Sequence, residues 1–164
     1  MDRAPYHKTM NRQSRLNEAE RLFIWGFRAV AQRQRLGWPT LGGIRAVYEH
    51  FHVEDAVPSV DAMIEIFAST AHTAIELHAS GCPCVSDGEF RLLSATSRAQ
   101  RGDLDRSRRQ FEQWLPHLAA DWIMAPACGL GRIFRTAGLL FPTNDIPSQT
   151  VNMQSWPVAS EALH

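Results

Sequence analysis

NEAERLFIWGFRAVAQRQRLG, residues 17–37, carries a helix start, an apolar stripe and a helix stop in one run. Asn17 followed by Glu20 makes a capping box, in which each side chain accepts the backbone N–H of the other and satisfies groups a helix end leaves bare. Leu22, Phe23, Phe27 and Val30 then recur at helical spacing along one side. Gly37 supplies the left-handed residue at which helices commonly end. The spacing predicts an amphipathic helix packing on others.

The same pattern extends along the chain. Thr40 can cap a shorter helix through LGGIRAVYEHF, with Ile44, Val47, Tyr48 and Phe51 on its apolar face. Ser59 can cap a long third helix, VDAMIEIFASTAHTAIELHA, whose stripe runs from Val60 through Met63, Ile64, Phe67, Ala71 and Ile75 to His78. Gly81 and Pro83 would end it. Ser86 with Glu89 forms a second capping box and opens a fourth helix that Gly102 closes. Asp103 or Asp105 can start a fifth, LDRSRRQFEQWL, stopping near Pro116. HLAADWIM runs to Pro126, and ACGLGRIFRTAGLL follows as a seventh helix or as the same helix bent. No period-two strand and no internal repeat occurs. The fold class expected is all-α: a compact single-domain bundle of six or seven short helices over 17–141. A flexible basic arm (1–16) and a flexible tail (142–164) flank it.

Length and composition agree with this. The chain has 164 residues, enough for one domain with a real core, and 45% of them are hydrophobic. No uncharged run approaches the roughly 20 residues of a transmembrane helix, and no secretory apolar segment precedes Asn17, so a cytoplasmic location with reduced thiols is expected. The basic arm would also suit a transit peptide; a disordered arm is the simpler reading.

The formal net charge is zero, yet charge is sorted along the chain. Residues 1–45 hold nine basic and three acidic groups, residues 46–90 eight acidic groups with no Lys or Arg, and residues 91–109 six arginines against two aspartates. Either one pole meets an anionic partner, or basic helices pack beside the acidic segment and neutralise it internally. A neutral total disfavours non-specific nucleic-acid binding, which runs on phosphate neutralisation. The strongest basic run, RAQRGDLDRSRRQ, offers Arg98, Arg101, Arg106, Arg108 and Arg109 to an acidic partner protein or to segment 46–90 of another copy. It lacks the Asn, Gln, Ser and Thr readers of a DNA-binding helix.

Chemistry concentrates in HASGCPCVSDGE, residues 78–89. His78, Cys82 and Cys84 with the remote Cys128 make a Cys3His set, a normal tetrahedral zinc complement. A buried histidine and buried cysteines acting as small hydrophobes are the plainer alternative. A redox pair is a third: Cys84 precedes the helix opened by Ser86, whose dipole favours a thiolate, and Cys82 would resolve it. Elsewhere, Glu49 and His52 form a single Glu-x-x-His without the second copy a di-iron bundle needs, and His72 with Glu76 does not complete it. Gly129 and Gly131 near Arg132 and Arg135 lack the dinucleotide and P-loop patterns and suit close helix packing. No Ser-His-Asp order, Gly-x-Ser-x-Gly or HExxH spacing is present.

CPCVSDGEFRLLSA, after a long helix and before two more, resembles a family of small helical bacterial proteins of the domain-of-unknown-function kind, over roughly residues 17–141. The resemblance implies an all-helical fold and a cytoplasmic bacterial setting, and no activity or ligand. Together these features lead to the expectation of a small regulatory or adaptor protein acting by protein–protein contact or self-association, without membrane or nucleic-acid partners. The competing expectation is a zinc protein using His78, Cys82, Cys84 and Cys128 for structure or sensing.

Overall fold

The computed structural model describes residues 16–37 and 39–142. The arm and tail expected from the sequence lie, apart from Leu16 and Pro142, outside the described residues. Among those residues there are six α-helices and no strand: α1 (Glu18–Leu36), α2 (Leu41–His50), α3 (Val57–Thr70), α4 (Asp87–Arg101), α5 (Leu104–Phe111) and α6 (His117–Thr136). A short 3-10 turn, Glu54–Ala56, leads into α3. The all-α bundle expected from periodicity is what forms.

Both capping boxes are present. Asn17 accepts from the Glu20 amide at 2.9 Å while Glu20 accepts from the Asn17 amide at 2.8 Å. Ser86 and Glu89 repeat the arrangement at 3.0 and 2.9 Å. Gly37 and Gly102 end α1 and α4 at φ 70° and 84°, a region that costs glycine little and other residues more.

The core is shared by α1, α3, α4 and α6. Phe23, Phe27 and Val30 of α1, Met63, Ile64 and Phe67 of α3, and Ile123, Ala127, Leu130 and Phe134 of α6 belong to one buried cluster, with Phe27 edge-on to Phe67. Two glycines set the closest approaches. Gly26 on α1 lies under the buried Tyr48 ring of α2, and a Cβ at Gly131 on α6 would sit 2.9 Å from the Gln100 Cα of α4. The glycines of CGLGRIF therefore serve packing.

One element differs from expectation. The third helix begins at Val57, with Pro58 in its first turn, and stops at Thr70. His78 is therefore not in a last helical turn: residues 71–85 form a non-helical link. Thr70 turns its hydroxyl back onto the Ile66 carbonyl at 2.6 Å, and Ser69 does the same to Glu65 at 2.7 Å. Serine and threonine compete with the helix in this way. The Ala71 amide makes the last bond of the helix, to Phe67 O at 3.1 Å, and the His72 amide bonds out of it to Trp114 O at 2.9 Å. Ile75 and Val85, both buried, pin the two ends of the link.

Of the two readings open at Pro126, the single helix is the one that forms, and α6 runs through that residue. An interior proline costs about 3 kcal/mol. Here the buried stripe Ile123, Ala127, Leu130 and Phe134 spans it, and that burial offsets the lost bond. Beyond α6 the chain folds back. Phe141 stacks on Phe134 with ring centres 5.5 Å apart, Gln100 fixes Leu139 O at 3.0 Å and the Phe141 amide at 2.9 Å, and the Asn17 amide group donates to Leu140 O at 2.7 Å.

Candidate metal centre

The link between α3 and α4 is organised around one buried arginine. Arg28 interrupts the apolar run of α1 and, like Glu89 of α4, has almost no exposed surface. The two pair side-on: Nε to Oε1 at 2.6 Å and Nη2 to Oε2 at 2.7 Å. The remaining N–H groups of Arg28 donate to the carbonyls of Ala79, Cys82 and Cys84 at 3.5, 2.8 and 2.6 Å. All five guanidinium N–H groups are thus used. Glu89 also accepts the amides of His78 at 3.0 Å and Ser86 at 2.9 Å. Burying two charges is tolerable only with such saturation. Ser86 completes the frame by donating its hydroxyl to Glu76 O.

This frame holds residues 78–84 as a tight turn, with the Cys82 amide bonded to Ala79 O at 2.9 Å. One donor atom each from His78, Cys82 and Cys84 lies within 4.8 Å of the others, and all three side chains are half-buried. Among the described residues no other set of three such groups converges. The set could hold a metal ion. His78 Nδ1 is 3.6 Å from Cys82 Sγ, and its Nε2 faces Glu76 Oε1 at 3.9 Å. Ligation by Nδ1 would leave Nε2–H directed at that carboxylate, the outer partner a metal-bound histidine commonly has. Nδ1 also lies 3.2 Å from Cys84 O, and the Cys82 and Cys84 sulfurs lie at disulfide distance, their Cα atoms 5.5 Å apart. On its other side His78 helps wall a cleft of about 290 Å³ between α1 and the link, lined also by Gln32, Arg35 and Ser80.

Cys128, expected as the fourth ligand, is not part of the group. It sits half-buried on α6, packed against the core. Burial pushes its thiol up, against the pull of Arg132, which keeps it protonated and suits packing. Glu49 and His52 are exposed at the end of α2, and His72 is committed to Trp114 O at 2.7 Å.

Of the basic run, three arginines are engaged inside the protein. Arg98 pairs with Asp103 at 3.4 Å, and Arg101 donates to Ser97 at 2.7 Å and Pro142 O at 3.2 Å. Arg108 bonds Asp121 of α6 and Glu112, the latter at 3.0 Å. The hydrogen bond from Arg108 holds the Asp121 carboxyl below the usual range. Arg106 is exposed beside Asp103 at 3.6 Å, and Arg109 is exposed.

The sequence names His78, Cys82 and Cys84 as candidate ligands, and their donor atoms converge; it does not point to the Arg28–Glu89 pair that positions them. The one signal of that pair is a charge inside the apolar half of α1, in GFRAVA. No protein family, curated protein or solved structure matches this chain. No helix among the described residues is long and apolar enough to cross a membrane.

Proposed function

We propose that this protein binds one soft metal ion, zinc in the first instance, through His78, Cys82 and Cys84, and uses it for sensing. The observation that carries this is the convergence of the three donors within 4.8 Å in a turn already held by Arg28 and Glu89. Two thiolates and an imidazole favour zinc or copper(I) over hard cations. Structural zinc sites close with four protein ligands, whereas three leave a position open to exchange. A turn fixed by its own hydrogen bonds does not need the metal to fold.

Metal analysis of reduced, untagged protein should give one equivalent of zinc, with two thiols reactive only after chelation. Cys84→Ser should lose the metal and Cys128→Ser should keep it. Chelation should leave the helical circular dichroism unchanged. Freely titrating Cys82 and Cys84 thiols with no bound metal would refute the reading, and a loss of helix on chelation would make the ion structural.

A second reading is contact with an acidic partner protein. It is supported by exposed Arg106 and Arg109 on α5, and by Leu118 and Trp122, 61% and 54% exposed on α6 either side of Asp121. The double variant Arg106→Ala/Arg109→Ala should weaken co-purification of a partner without lowering the melting temperature. An unchanged pull-down would remove this face.

A further inference from the structure

We infer that the Cys82–Cys84 turn exchanges a metal ion for a disulfide, so that peroxide expels the metal and a dithiol reductant restores the site. The inference rests on the metal reading above and adds its regulation.

The two states compete for the same atoms. A sulfur in a disulfide has no thiolate to offer, and His78 alone is a poor zinc site. The Cα atoms of Cys82 and Cys84 are 5.5 Å apart, within the span of about 4.4–6.8 Å that disulfides use. Their sulfurs also belong to the donor group with His78. Arg28 grips the carbonyls of both cysteines and leaves their side chains untouched. The sulfurs can therefore change partners while the main chain keeps its place. Both side chains are half-buried, within reach of a small oxidant.

The chemistry balances with hydrogen peroxide as the named oxidant. One cysteine thiolate attacks a peroxide oxygen; the S–O bond forms, the O–O bond breaks and hydroxide leaves. The second thiolate attacks the resulting sulfenic sulfur; the S–S bond forms, the S–O bond breaks and a second hydroxide leaves. Two electrons pass from the sulfurs to peroxide, two solvent protons convert the hydroxides to water, and the divalent ion departs hydrated. A dithiol reverses this by two exchange steps and becomes a disulfide itself.

The test uses the full chain carrying Cys128→Ser, so that only two thiols are present. It is reduced, loaded with zinc and treated with hydrogen peroxide beside a colorimetric zinc chelator. The expected result is release of zinc in step with the loss of both thiols. The peptide spanning Cys82 and Cys84 should become lighter by two hydrogens, and dithiothreitol with zinc should restore both signals. Zinc affinity of the oxidised form should fall by more than about 100-fold, beyond what loss of an outer partner costs. Retention of zinc at a peroxide dose that oxidises a free thiol would overturn the exchange and leave the metal site standing. Release accompanied by sulfinic acid in place of the disulfide would overturn it equally. Reduced protein that takes up no zinc would overturn the metal reading and the exchange with it.

Discussion

Glu89→Ala should destabilise the protein by about 3–5 kcal/mol, the usual cost of breaking a buried ion pair from one side. Glu89 accepts from Arg28 twice and from the amides of His78 and Ser86. Its removal leaves the buried Arg28 charge with carbonyl partners only and takes away the half of the capping box that accepts the Ser86 amide, which adds to the loss. Urea unfolding followed by circular dichroism reads this as a lower midpoint at unchanged slope. Arg28→Ala/Glu89→Ala should cost less than the sum of the single variants, because no charge is left buried. It should still cost something, since the Cys82 and Cys84 carbonyls lose their donor. A Glu89→Ala cost under about 1 kcal/mol, the level of an exposed pair, would show that water reaches Arg28 and that the turn is held otherwise.

Gly26→Ala should destabilise by about 3 kcal/mol, the upper part of the range for overpacking a core. The new Cβ would overlap the Tyr48 hydroxyl and lie 2.6 Å from Cζ and 2.8 Å from Cε2 of the ring. Tyr48 is wholly buried and edge-on to Phe134 at 6.2 Å, so the ring has nowhere to go. Alanine would otherwise favour the helix by about 1 kcal/mol, and the clash overrides that gain. Adding Tyr48→Phe removes the worst contact and should recover part of the loss, whereas Tyr48→Phe alone gives up only a long 3.5 Å bond to Leu22 O. Thermal melts of the three variants decide it. A Gly26→Ala protein as stable as its parent would mean that α2 can lift from α1 at little cost.

What was legible in the sequence is what local chemistry controls. Asn17 with Glu20, Ser86 with Glu89, and the terminal Gly37 and Gly102 act within a few residues, and each does what its motif predicts. The end of α3 answers partly to Ser69 and Thr70 and partly to a distant partner, and the continuity of α6 to the core it crosses. Trp114 takes the His72 amide, and the core along Ile123–Phe134 carries the helix past Pro126. The candidate site divides the same way. His78, Cys82 and Cys84 are neighbours in the chain and meet in space. Cys128 could join only through helix docking, which places it elsewhere. The pair that positions the turn joins residues 61 positions apart, and no spacing rule reaches so far. The sorted charge did carry a trace of it. Arg28 comes from the basic first third and Glu89 from the segment without Lys or Arg, so internal neutralisation operates at least there.

The contact between Asn17 and Leu140 brings the start and end of the helical domain to one point. The path of the chain through the domain nearly closes on itself, and its entrance and exit share a corner. Anything joined in sequence before α1 or after the segment that follows α6 is tethered at that same corner. A protein carrying such a domain in mid-chain would treat it as a side loop, inserted without lengthening the path between its neighbours.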